Sequence, residues 1–313
     1  MSLPGRFSGP AAPTAPAASG LQDPQPGDSL ASALGWACAL GLERLDAHSL
    51  LGHLLGHSRA WLIAHDDAPL PAAFAAQFAC ACRRLADGEP LAYVLGQREF
   101  HGLMLHLTPE VLVPRADTET LVDWALALLP ALDLIAPGRQ PRVLDLGTGS
   151  GAIALAVAHS HPPARVSATD FSQSALTVAR ANAERLELTL STLCGSWWLA
   201  VAPTQQFELV LSNPPYIAGD DPHLPALRHE PIAALTPGGD GLVALREIIA
   251  GAQPHLVPGG WLLLEHGWDQ ADAVARCLKQ AGFQGVTTRR DIEGRPRCTG
   301  GRFDSPAVAR SDG

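Results

Sequence analysis

Between Ser29 and about Leu95 the apolar positions recur at helical spacing. Leu30, Leu34, Cys38 and Leu40 form one stripe, Leu50, Leu51, Leu54 and Leu55 a second, and Ala72 to Leu85 carries a third that Asp87-Gly88 closes. The pattern predicts a small bundle of short helices over residues 29–95 with no chemical motif of its own, a module suited to recognising or positioning a substrate. The period then changes to two. Phe100, Leu103, Leu105 and Leu107 alternate with other residues, and Val111-Leu112-Val113 follows Thr108-Pro109-Glu110, which predicts a β-hairpin linker over residues 96–116. From Asp117 to about residue 303 helical and extended patterns alternate. Asp117 is placed to cap a helix through Leu121, Val122 and Trp124. Strands are expected at Arg142 to Asp145, Arg165 to Asp170, Phe207 to Ser212 and Gly260 to Glu265, with helices at Ala152 to Ala158 and Ser172 to Ala183. This β-α-β order predicts an α/β domain, a doubly wound parallel sheet with helices on both faces. Ligands of such sheets bind at the carboxyl ends of the strands.

Composition narrows the picture. Residues 1–28 are rich in Pro, Ala, Gly and Ser and hold few large apolar residues, so a disordered tail is expected there, with a second short tail at 304–313. The chain as a whole, 47% apolar and 17% charged, is globular in composition. Twenty-two basic against 31 acidic residues give a net charge of −9, which argues against a broad basic surface gripping phosphates and so against a stable nucleic-acid partner. The six cysteines form no Cys-x-x-Cys pair, and Cys80 and Cys82 read as small core residues of a helix. His53 and His57 lie one helical turn apart without a second ligand pair, so no metal site is expected. No apolar run reaches the roughly 18 residues of a membrane span, and no charged segment followed by an apolar one opens the chain. A reducing, cytoplasmic location is expected.

Two strand ends carry chemistry. Asp145-Leu146-Gly147-Thr148-Gly149-Ser150-Gly151 follows a strand and precedes a helix, and its glycines allow a sharp turn and close approach of a ligand to the backbone. Asp170 ends the next strand, 19 residues beyond Gly151, where a carboxylate can accept hydrogen bonds from both ribose hydroxyls of an adenosine. The spacing is Gly-x-Gly-x-Gly rather than the Gly-x-Gly-x-x-Gly of dinucleotide sites. Asp145 would repel a pyrophosphate and welcome the amino end of a methionine-derived cofactor, so S-adenosylmethionine is favoured over NAD.

The second site is Ser212-Asn213-Pro214-Pro215-Tyr216, at the end of the Phe207 strand. Consecutive prolines fix the backbone and remove two N–H donors. Their carbonyls and the Asn213 side-chain oxygen can accept from a planar –NH2 group, and Tyr216 offers a flat face to stack on it. An amide or exocyclic amine nitrogen is a poor nucleophile because its lone pair is delocalised. Accepting both of its hydrogens turns that lone pair toward a sulfonium methyl.

With these residues in place the chain resembles the release-factor glutamine methyltransferases, the HemK/PrmC family, over about residues 29–303. The resemblance runs through Pro90-Leu-Ala-Tyr-Val-Leu-Gly96, Phe100, Val113-Pro114-Arg115-Ala116-Asp117-Thr118-Glu119, the 145–151 loop, Gly195-Ser196-Trp197 and Asn213-Pro-Pro-Tyr216. It continues in Glu230-Pro231, Glu265-His266-Gly267 and Asp291-x-x-Gly294-x-x-Arg297. It implies a Rossmann-like S-adenosylmethionine-dependent methyltransferase domain with a small N-terminal helical-bundle domain and a β-hairpin linker. It also implies methyl transfer to the side-chain amide (N5) of the glutamine in the Gly-Gly-Gln motif of class 1 peptide-chain release factors. By position, Gly147, Thr148, Gly149, Ser150, Gly151, Asp170, Trp197 and Asn213 would hold the cofactor, with Trp198 the alternative to Trp197 beside the adenine. Asn213, Pro214, Pro215 and Tyr216 would clamp the glutamine, with Asn213, Pro214 and Tyr216 catalytic. Ala116 stands where the family usually has proline, which leaves the roles of Arg115 and Glu119 open between the site and a helix-start charge pair. Glu265 and His266 are expected to form a structural pair rather than a base. The rival activity is an adenine or guanine amino-methyltransferase acting on DNA or RNA, which would need basic residues to hold an unstacked strand.

Overall fold

Serine caps open the first helices. In the computed structural model, which describes residues 21–132 and 140–304, Ser29 accepts from the Ser32 N–H at 3.1 Å and Ser58 from the Trp61 N–H at 3.2 Å. These start α1 (Leu30–Ala39) and α3 (Arg59–Ala64), while α2 (Arg44–Leu55) ends on Gly56 in the left-handed region. With α4 (Ala72–Ala86) and α5 (Leu91–Leu95) they form a unit that ends at Leu95, packed around Leu30, Leu50, Leu51, Leu62, Leu70 and Phe78. Cys82 joins this core while Cys80 is exposed, so only one of the pair fills it. Residues 21–28, read from the sequence as tail, are tied down. The Gly27 N–H donates to the Leu70 carbonyl, Leu70 returns a bond to Asp28 at 2.7 Å, and Asp23 pairs with Arg83. The rest of the expected tail, 1–20, and residues 305–313 of the second lie outside the described residues.

The second unit begins at Gly96. Strands β1 (Gln97–Phe100) and β2 (Leu103–His106) are antiparallel, joined by His101 and Gly102, both at positive φ as a tight two-residue hairpin turn requires. Val111 to Val113, expected to extend this hairpin, forms no strand: the Val113 N–H donates to the buried Glu230 carboxylate at 3.1 Å instead. Nor does Asp117 cap a helix. It lies within a 3-10 turn, Ala116–Thr118, that leads into α6 (Glu119–Leu132), and its carboxylate is drawn to Arg297 at 3.0 Å.

The sheet is built from β3 (Arg142–Leu146), β4 (Arg165–Asp170), β5 (Ser191–Cys194), β6 (Phe207–Ser212), β7 (Leu256–Glu265), β8 (Gln284–Arg290) and β9 (Pro296–Arg302). Its order is β5-β4-β3-β6-β7-β9-β8, parallel from β5 to β7 and antiparallel at β9. The expected parallel sheet is therefore mixed at one edge. There Gly300 passes so close beneath Leu263 and Trp124 that a Cβ would lie 2.4 Å and 3.1 Å from them. Helices α7 (Ala152–Ser160) and α8 (Gln173–Arg185) follow β3 and β4, and α9 (Ile232–Leu235), α10 (Val243–Gly251) and α11 (Ala271–Gln280) complete the unit. Strand β3 lies between β4 and β6, so strand order reverses there and opens a crevice at the strands' carboxyl ends.

Candidate active site

The turn after β3 enters this crevice. Gly147, Gly149 and Gly151 all have positive φ, at 73°, 55° and 86°. Two of them are also needed for space. A Cβ on Gly147 would lie 3.1 Å from the Trp197 ring, and one on Gly151 would press on Leu155 and Ala179, where α7 packs against α8. A Cβ on Gly149 would meet nothing within 4 Å, so that backbone faces open space. Ser150 and Thr148 are buried; Thr148 donates from its hydroxyl to Asp145 Oδ2 at 2.6 Å. Asn182 of α8 braces the loop, donating to the Ser150 carbonyl at 2.9 Å while its oxygen accepts from the His106 N–H of the hairpin.

Two carboxylates flank the loop. Asp170 takes the Gly149 N–H on Oδ2 and the Ser172 N–H on Oδ1, each at 2.9 Å. Burial raises its pKa, and those backbone donors pull it back down. Asp145 is wholly buried, with Oδ1 lacking a partner among the described residues. Burial pushes its carboxyl up to about 7 against the pull of Thr148, and the nearby Asp170 charge adds to the rise.

One cavity is lined by Gly147, Gly149, Asp170, Phe171, Trp197, Asn213 and Pro215, together with Pro109 to Leu112. The two adjacent tryptophans separate here. Trp197, at a positive φ of 42°, lies over Gly147 in this cavity. Trp198 points elsewhere: its indole N–H donates to the Ile248 carbonyl at 2.9 Å and its ring stacks on His255.

A second cavity is lined by Leu112, Arg115, Asn213, Pro214, Tyr216, Ile217, Leu227 and Leu235. Asn213 lines both cavities, with Pro215 on the first and Pro214 and Tyr216 on the second. The Asn213 Nδ2 donates to Thr118 Oγ1 at 3.2 Å. The Tyr216 hydroxyl donates to Glu265 Oε1 at 3.0 Å, and Gln270 donates to the Tyr216 carbonyl at 2.9 Å.

Behind the Asn-Pro-Pro-Tyr segment lies a buried charged cluster. Burial pushes Glu265 up to about 7, while the Thr118 and Tyr216 hydroxyls and the Arg297 charge draw it down. Burial and the Glu265 charge raise the Tyr216 phenol, so it stays protonated. Arg297 is held by Asp117 at 3.0 Å and Asp291 at 3.2 Å. The sequence assigned none of Thr118, Arg297 or Gln270 to the site. Thr118 and Arg297 nevertheless stand in segments that carry the family resemblance, and that was the available signal.

The remaining candidates have partners of their own. Arg115 lines the second cavity but pairs with Glu230. Glu119 accepts from the His101 N–H at 3.1 Å, bracing the hairpin turn away from either cavity lining. Glu265 and His266 do not pair with each other: His266 bonds Thr299 at 2.7 Å and the Gly267 carbonyl at 2.8 Å, and burial lowers its pKa. Among the described residues no group of acidic, His or Cys side chains could hold a metal.

Known proteins match this arrangement. Two family profiles fit the chain, the PrmC N-terminal domain over residues 35–96 and the methyltransferase small domain over residues 119–267. The release factor glutamine methyltransferase of Bordetella pertussis is 53% identical over 265 residues, 83% of this chain and 95% of its own length. That of Escherichia coli is 41% identical over 263 residues, 83% and 92% of the two chains. Among solved structures, the hMettl16 catalytic domain in complex with a 3′UTR hairpin superposes with a TM-score of 0.52 at 16% identity, over 73% of this chain and 82% of that one. At that identity it attests the methyltransferase fold alone. On identity and coverage of this extent, the chain belongs to the release factor glutamine methyltransferase family.

Proposed function

We propose that this protein transfers a methyl group from S-adenosylmethionine to the side-chain amide nitrogen of the glutamine in the Gly-Gly-Gln motif of class 1 peptide-chain release factors. The observation that carries the reading is Asn213, which lines two cavities with one end of its amide anchored on Thr118. A residue so placed can face a cofactor on one side and a planar amide on the other.

The first cavity suits the cofactor. It offers the Asp170 carboxylate to ribose hydroxyls, the Trp197 ring to an adenine and open backbone at Gly149. Asp145 lies behind the loop, wholly buried and bonded to Thr148, so it shapes the turn rather than lining the cavity. When bound, S-adenosylmethionine supplies an activated methyl group, which passes to the amide nitrogen while the sulfonium sulfur keeps the bonding pair and the nitrogen releases its proton to solvent.

The residues of this chain align that exchange. The Asn213 oxygen accepts one amide hydrogen, and the fixed backbone of Pro214 and Pro215 presents its carbonyl to the other. Alignment of this kind is worth ~7–11 kcal/mol in favourable cases. The second cavity is mostly apolar, and its cation, Arg115, is already neutralised by Glu230, which suits a neutral side chain. No base is called for, since a freshly alkylated amide nitrogen is acidic enough to lose its proton. The proposal carries with it a protein partner in the cytoplasm; no helix among the described residues is long and apolar enough to cross a membrane.

The test is incubation with methyl-labelled S-adenosylmethionine and, separately, a class 1 release factor, its motif Gln→Ala variant and duplex DNA. Label on the unaltered factor alone is expected. Label on DNA alone would move the function to the nucleic-acid amine reading.

A further inference from the structure

An asparagine amide has two ends of nearly equal size, one accepting and one donating. A half-turn about the last side-chain bond exchanges them. Transfer to an amide nitrogen needs the Asn213 oxygen outward, because the substrate offers N–H. The reversed amide would set donor against donor. Nothing within Asn213-Pro214-Pro215-Tyr216 selects the end, since prolines fix the backbone and leave that rotation untouched.

The selector lies 95 residues upstream, where the Asn213 Nδ2 donates to Thr118 Oγ1 at 3.2 Å. Thr118 sits where the 3-10 turn meets α6 and is 3% exposed, so water does not compete there. A hydroxyl can also donate, and the surroundings decide against that toward Asn213. Beside it is Glu265, wholly buried, with Oε1 taken by Tyr216 and Oε2 without a partner among the described residues. The Thr118 hydroxyl acts on this carboxylate as a donor does, favouring its charged form. In the bond with Asn213 the Thr118 oxygen is the acceptor, so its lone pairs face Asn213 and its own proton points away from it.

We propose that Thr118 is a positioning residue that decides which end of the Asn213 amide faces the substrate. The inference rests on the methyl-transfer reading and deepens it.

Thr118→Val keeps the shape and removes the hydroxyl; Thr118→Ser keeps the hydroxyl. With release factor as substrate, Thr118→Val is expected to lose about tenfold in kcat, the worth of one lost buried hydrogen bond. Its affinity for S-adenosylmethionine should stay within about twofold, and Thr118→Ser should recover kcat to within about threefold of the unaltered enzyme. A second measurement does not depend on turnover. In isotope-labelled protein the Asn213 side-chain NH2 signals, assigned by their loss in Asn213→Asp, are expected to be protected from hydrogen exchange in the unaltered protein and in Thr118→Ser, and unprotected in Thr118→Val. Unaltered kcat in Thr118→Val, or a Thr118→Ser as slow as Thr118→Val with cofactor affinity intact, would overturn the proposal. So would unprotected NH2 signals in the unaltered protein. If the unaltered enzyme methylates no release factor, the functional reading fails, and the exchange measurement alone decides whether Thr118 holds Asn213.

Discussion

Asp170 is asked to do two things at once, and its substitution separates them. Its oxygens take the Gly149 and Ser172 N–H groups at 2.9 Å each, and the residue is 7% exposed. In Asp170→Asn the carboxamide keeps one oxygen, so one of those N–H groups faces a donor. An orphaned buried donor costs roughly 1–3 kcal/mol. Part of that is returned, because burial already disfavours the Asp170 charge. The cofactor loses more. A hydrogen bond to a charged acceptor is worth roughly 1.5–3 kcal/mol, so losing one ribose contact weakens S-adenosylmethionine by roughly ten- to a hundredfold. Asp170→Ala removes both, and the loss should reach roughly a hundredfold or more. Isothermal calorimetry measures this directly. Urea unfolding of the same samples shows that they are folded. A folded Asp170→Ala that binds the cofactor within about threefold of the unaltered protein would refute the ribose role.

Asn213→Ala should reduce kcat by roughly a hundredfold or more while cofactor affinity survives, and equal loss of both would contradict its role between the cavities. Trp197→Ala should weaken cofactor binding with little loss of stability, whereas Trp198→Ala, which breaks the bond to Ile248 and the stack on His255, should cost about 2–3 kcal/mol of stability and spare binding. Calorimetry and urea unfolding of the two variants test that division. Asp145 and Glu265 have folded-state values of about 7 against ordinary values of 3.8 and 4.5, so between these limits the native state holds protons the unfolded chain has lost. Their contribution to stability is full at low pH and is lost as pH rises to about 7, roughly 3–4 kcal/mol for each group. In urea unfolding from about pH 5 to pH 8, Asp145→Asn with Glu265→Gln should therefore remove a fall in stability with pH; a profile identical to the unaltered protein would contradict those shifts.

What the sequence disclosed was contiguous. The glycine turn, Asp170 and Asn-Pro-Pro-Tyr each lie at the end of a strand whose apolar run is legible by itself, and β4 and β6 begin and end where those runs do. The cluster of Thr118, Glu265, Asp291 and Arg297 was not legible in its geometry, because only the placing of β9 beside β7 brings the last two against residues far earlier in the chain. Strand β9 escaped notice because Gly300 has no room for a side chain, so Thr299 is the one branched residue that could announce a strand there. Asp117 looked like a cap because capping is a local rule, and a buried arginine 180 positions away outbid it. Trp197 and Trp198 are indistinguishable as letters; the positive φ at Trp197 turns one into the cavity and the other into α10.

The central claim is that a glutamine amide nitrogen receives the methyl group. The most direct measurement is fragmentation mass spectrometry of a class 1 release factor after reaction with unlabelled S-adenosylmethionine. The account expects a single added methyl on the glutamine of the Gly-Gly-Gln peptide, on its side-chain nitrogen, and none when Asn213→Ala replaces the unaltered enzyme. A methyl on any other residue, or an unmodified factor alongside methylated nucleic acid, would contradict it.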